Sequence, residues 1–134
     1  MRRHLTPDEA TATVHRGASV QQFLGFADRR DGRATLKYLE VSPTRDGVAV
    51  LVLHAFDDGT DQFQDVGEFT LVEQWDPIDD EGDFRGEDPT RIVLDSPVAA
   101  LTHAATHLGA SWDRWVNSGL IDDEYADARR LQAP

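Results

Sequence analysis

Between positions 74 and 89 the chain reads QWDPIDDEGDFRGEDP, which sets Asp76, Asp79, Asp80, Glu81, Asp83, Glu87 and Asp88 against a single Arg85. Carboxylates at that density suit three kinds of chemistry. They can ligate a hard cation, work in pairs as general acid and base, or present charge to a basic partner. An EF-hand register fails on inspection. With Gly82 at the sixth position the first ligand falls on Pro77, and with Gly86 there the fifth falls on Arg85. A catalytic pair needs a raised pKa from burial or a close like charge, whereas carboxylates on a Gly- and Pro-containing loop are expected to stay hydrated and ionised. The third chemistry is the one this segment suits.

His103 and His107 stand four apart in HAATH, the spacing of two zinc ligands on one helix face. Position 104 is Ala, so the general-base Glu of a zinc protease is missing. A helical wheel places both histidines opposite an apolar stripe of Val98, Leu101, Ala105 and Leu108, so no metal site is assigned to them. His54 interrupts the apolar run VAVLVLHAF and reads as a sheet histidine rather than a catalytic one. No nucleophile elbow and no phosphate-cradling glycine loop occurs. With no cysteine, thiol catalysis, cysteine-ligated zinc and disulfides are all excluded. No catalytic residue and no cofactor is expected.

The elements that would carry these residues are marked by turn and cap chemistry. Thr6-Pro7-Asp8-Glu9 is a capping box with Pro at the first helical position, predicting a short surface helix over 7–15 that ends at Gly17. Asp31-Gly32, Asp46-Gly47 and Asp58-Gly59 supply hairpin turns between strands. The strands are read at 21–29, 34–41, 48–56 and 67–75, with Pro43 in a loop and 48–56 as the central strand. A short strand at 90–95 precedes the clearest helix, 96–109. Residues 111–119 read as a further helical turn presenting Trp112, Trp115 and Val116 to the core. A last helix over 122–131 turns Tyr125 inward. The expected fold is α+β: an antiparallel β-meander of about four to five strands packed by C-terminal helices, with a short N-terminal helix.

A length of 134 residues fits one domain. No apolar window is long enough to span a membrane, and the basic start MRRHLTPDEA lacks a following apolar segment, so a cytoplasmic protein is expected. Formal charge is −12 and unevenly placed. Residues 1–67 hold eight Lys/Arg against ten Asp/Glu, and residues 68–134 hold five against fifteen. Such a field repels phosphate backbones and attracts basic proteins. The function expected from charge and size is that of a non-catalytic acidic binding or inhibitor protein, immunity-protein-like. It would neutralise a basic partner such as a toxin through Asp76, Asp79, Asp80, Glu81, Asp83, Glu87 and Asp88, joined by Asp57, Asp58, Asp61 and Asp65. Two other classes stand beside it. One is a small enzyme or ligand-binding domain with a pocket lined by His54, Tyr38, Trp75 and the Trp112/Trp115 pair. The other is a structural protein, such as a homodimer formed through a sheet edge, whose acidity reflects solubility or salt adaptation.

Overall fold

The computed structural model describes residues 3–30, 32–72 and 90–132. Helix α1 (Pro7–His15) opens with the capping box in place, Thr6 and Glu9 each accepting from the other's backbone N–H. Strands β1 (Val20–Arg30), β2 (Arg33–Thr44) and β3 (Gly47–Phe56) follow as a meander. Strand β4 (Thr90–Leu94) pairs antiparallel with β3, and helix α2 (Pro97–His107) starts on Ser96, whose hydroxyl accepts from Ala99 N–H. Strand β5 (Val116–Asn117) pairs with the start of β1, and helix α3 (Ile121–Gln132) closes the described chain. Among the described residues the sheet order is β4-β3-β2-β1-β5, all antiparallel. The α+β architecture expected from the sequence is therefore the observed one. None of the described helices is long and apolar enough to cross a membrane.

The sheet separates two cores, because alternate residues of each strand face opposite ways. Val20, Leu39, Val41, Val48 and Val50 face α1 and α2, where they meet Ala10, Val14, Leu101, Ala104 and Trp115. Leu36, Tyr38 and Ala55 face the other way and pack with Phe69, Ile121 and Tyr125 of α3. Neighbouring glutamines on β1 tie both layers. Gln22 exchanges two hydrogen bonds with the Ser111 backbone, while Gln21 donates to Glu40 and accepts from Gly119 N–H.

Several elements differ from the sequence expectation. Helix α1 is not a surface element, since Ala10 and Val14 are fully buried. Its sparse stripe suffices because α2 and the sheet close over it. The buried face of α2 is Ala100, Leu101 and Ala104, rotated from the expected stripe, and Val98 points to solvent. Small alanines let α2 approach both α1 and the sheet. Pro43 lies within β2 opposite Val48. Strand β3 is flanked on both sides, but β2 holds the middle position. Residues Val66–Glu68 form a 3-10 turn, and within 67–72, the described part of the expected 67–75 strand, only Leu71 bridges to β3. Residues 111–119 form a turn and then β5, not a helix. Trp115 is buried there, and Trp112 is over one-third exposed. The β2–β3 hairpin needs its glycine: Gly47 sits at φ +146°, and a Cβ there would lie 2.3 Å from the Leu94 carbonyl oxygen.

Candidate functional site: an acidic corner at the end of β3

Past Phe56 the chain makes an excursion and returns. Asp57 N–H bonds Ala34 O, Phe56 N–H bonds Thr70 O, and Leu71 bridges to Ala55. The excursion carries Asp57, Asp58, Asp61, Asp65 and Glu68, with no Lys, Arg or His between residues 57 and 72. It is held as a shaped loop. Thr60 and Phe63 exchange backbone hydrogen bonds across a tight turn, and the Thr60 hydroxyl accepts from Gln62 N–H. Asp122 Oδ1 on α3 accepts from Val66 N–H at 2.9 Å, fastening the 3-10 turn to the helix.

Two carboxylates are taken up by this construction. Asp57 Oδ1 accepts from Tyr125 Oη at 2.5 Å and from Gly59 N–H. Asp58 accepts from Arg33 at 2.8 Å and from Thr70 N–H. The others face solvent: Asp61, Asp65 and Glu68 on the loop, with Asp123 at the start of α3. Asp61 is 97% exposed and, among the described residues, pairs only with Arg129, at 3.3 Å. Amid these charges Phe63 is 40% exposed, its ring set edge-on to Phe69, which in turn meets Tyr125.

The crowding of charge is felt by the titrating groups beneath. Burial raises Asp122 above the usual carboxylate range, and the charges of Asp65 and Asp123 add to it. Burial likewise pushes Tyr38 up to about 12, with Glu40, Asp122 and Asp65 contributing. Tyr125 is raised by burial and by its bond to Asp57. Both tyrosines are thus held neutral in the fold at pH values where the unfolded chain would ionise them. Their stabilisation is fully present below the ordinary tyrosine value near 10 and is lost as pH rises through the folded value. Stability is therefore expected to fall by about 1.4 kcal/mol per pH unit per tyrosine above pH ~10, the share from Tyr38 levelling off near pH 12. Urea midpoints at pH 8, 10 and 11 check this. Tyr38→Phe should reduce the alkaline slope, and a midpoint indifferent to pH over this range would contradict it.

Of the residues expected from the sequence, Asp76, Asp79, Asp80, Glu81, Asp83, Glu87 and Asp88 lie outside the described residues, as does Trp75. Asp57 and Asp58 prove structural, while Asp61 and Asp65 are surface groups. His103 and His107 share a face of α2 with rings 4.9 Å apart, and among the described residues no three His, Asp or Glu side chains gather as a metal ligand set. Tyr38 and Trp115 sit in opposite cores and cannot line one pocket. Sequence reasoning missed the Tyr125–Asp57 bond and a second cluster in which Arg3 and His4 meet Glu124. The acidic first turn of α3 was the only visible signal, and it reads equally well as a dipole-compatible helix start.

No known protein family, curated protein or solved structure matches the chain.

Proposed function

We propose that this is a non-catalytic acidic binding protein that captures a basic protein partner at the corner where β3 ends, in the manner of an inhibitor. One observation carries the reading: the two acidic stretches of the chain are anchored at the same place. Val72, after which residues 73–89 begin, follows Leu71, which bridges to Ala55; Thr90, where they end, pairs with Val52. Strand β2 occupies the other edge of β3 along its whole length, so both anchor points lie on one edge. They are three residues apart, about 10 Å. The 57–68 loop leaves from the end of that same strand. Five carboxylates on the loop and seven within 76–88 therefore share one origin on the sheet.

Concentrated charge of one sign raises the encounter rate with an oppositely charged protein and fixes orientation more than it adds affinity. Affinity needs a desolvated anchor, and the exposed Phe63 ring among Asp61, Asp65 and Glu68 supplies an aromatic one. Nucleic acid is disfavoured as a partner by the same field. Changing the 76–88 carboxylates to Asn and Gln is expected to slow association with the captured partner about tenfold at low salt and much less at moderate salt. Stopped-flow association at the two ionic strengths measures it, and rates equal to wild type at low salt would overturn the reading.

A further inference from the structure

The opposite flank of α3 from the acidic corner carries a cavity of about 410 Å³. Residues 3–4 form one wall, Phe23 of β1 another, and Arg114, in the turn before β5, a third. Its α3 side combines Glu124 and Asp127 with Ala128 and Leu131. The charges here balance differently from the rest of a chain of net −12. Both carboxylates are already neutralised. Glu124, only 7% exposed, accepts from Arg3 Nη1 at 2.6 Å through one oxygen and meets His4 Nε2 at 2.7 Å through the other. Asp127 accepts from Arg3 Nη1 at 2.8 Å and pairs with Arg130, and these partners, Arg3 first, hold it below the usual carboxylate range.

The cations are not saturated in return. Arg3 makes both of its bonds through Nη1, leaving Nη2 and Nε without a hydrogen bond among the described residues. Arg114 is 58% exposed and, among the described residues, comes no closer than 4.0 Å to a carboxylate oxygen, that of Glu124. Two guanidinium groups with donors to offer thus share a cavity with the Phe23 ring and the side chain of Leu131. Planar guanidinium forks match carboxylates bidentately, and a volume of this size accepts a small ligand.

We propose that this cavity binds a small organic anion, a carboxylate carried on a compact apolar or aromatic body. The carboxylate is received by Arg114 and Arg3, and the apolar body lies against Phe23 and Leu131. The site is independent of the acidic corner and of its partner.

Benzoate is the probe, followed by fluorescence of Trp112 and Trp115, which bracket Arg114, and by amide chemical shifts. Inorganic phosphate, benzyl alcohol and benzylammonium are the comparison ligands. The expected result is saturable benzoate binding in the millimolar range, in keeping with a ligand of about nine heavy atoms. Phosphate, benzyl alcohol and benzylammonium should each bind at least about tenfold more weakly. Arg114→Ala should weaken benzoate about tenfold, with Arg114→Lys falling between. Leu131→Asp, at a position 88% exposed and so costing folding no more than an unfavourable charge at the helix end, should weaken it comparably. Absence of saturable benzoate binding would overturn the proposal. So would phosphate or benzyl alcohol binding as well as benzoate, or Arg114→Ala binding like wild type.

Discussion

Gly59→Ala is expected to destabilise the protein by about 1–3 kcal/mol and to loosen the acidic corner. The backbone at Gly59 does not demand glycine; the neighbour does. A Cβ at this position would lie 1.9 Å from Tyr125 Oη, 2.6 Å from Cζ and 2.9 Å from Cε2. Tyr125 cannot give way cheaply. It is fully buried, its ring meets Phe23, Phe26 and Phe69, and its hydroxyl is held by Asp57. The loop would have to lift instead, straining the Tyr125–Asp57 bond and the Gly59 N–H bond to the same carboxylate. Chemical denaturation measures the loss. In a Tyr125→Phe background the closest clash disappears, so the same alanine should cost less, and a double-mutant cycle isolates the coupling. An alanine variant as stable as wild type would show that the loop does not rest on Tyr125.

Trp115→Ala is expected to cost about 3–5 kcal/mol, the range for truncating a fully buried indole. Trp115 lies in the core shared by α1, α2 and the sheet, and its backbone carbonyl accepts from Leu5 N–H at 2.8 Å. Its removal opens a hole that Ala10, Ala100 and Ala104 are too small to fill. Against a total stability of roughly 5–15 kcal/mol, much of the folded population at elevated temperature would be lost. Trp115→Phe should be far milder, about 1 kcal/mol, because the indole N–H has no protein acceptor among the described residues and no hydrogen bond is given up. Tyr125→Phe is different, since its hydroxyl does lose a carboxylate. Calorimetric melts of the three variants should rank Trp115→Ala well below the others, and a phenylalanine as damaging as the alanine would contradict the packing described.

The three Asp-Gly pairs show how far the sequence could be read. Two of them mark hairpins: Gly32 sits in the β1–β2 turn at φ +78°, and Gly47 opens β3 directly after the Arg45-Asp46 turn, paired with Thr44, at φ +146°. The third looks identical in sequence but exists for a close approach to a side chain 66 positions away, which no local pattern reveals. The same limit explains the other departures. GEFTLVEQW alternates like a strand, yet Asp122 captures Val66 N–H and draws that part of the chain toward α3. Trp112 and Trp115 stand at helical spacing, but the start of β1 offers an open edge that residues 116–117 fill as β5. Caps, hairpins and the strand run of β3 are local and were legible. Of the candidate site, the charge was legible, whereas the division between structural Asp57 and Asp58 and solvent-facing Asp61 and Asp65 depended on long-range contacts.

The acidic-corner reading is tested most directly by capture from an extract of the native host, at low and moderate salt, with three proteins side by side. The first is wild type. The second carries Asn or Gln at Asp61, Asp65, Glu68 and Asp123, and the third carries Asn at Asp8, Asp46, Asp95 and Asp113. All eight positions are exposed, so the two variants change net charge equally. Asp46 and Asp95 lie by the far end of β3, about 30 Å from the corner. Wild type and the third protein are expected to retain a basic protein at low salt, less of it at moderate salt, and the second protein is expected to fail to retain it. Retention by the second protein, or equal loss by the second and third, would contradict a partner site at this corner.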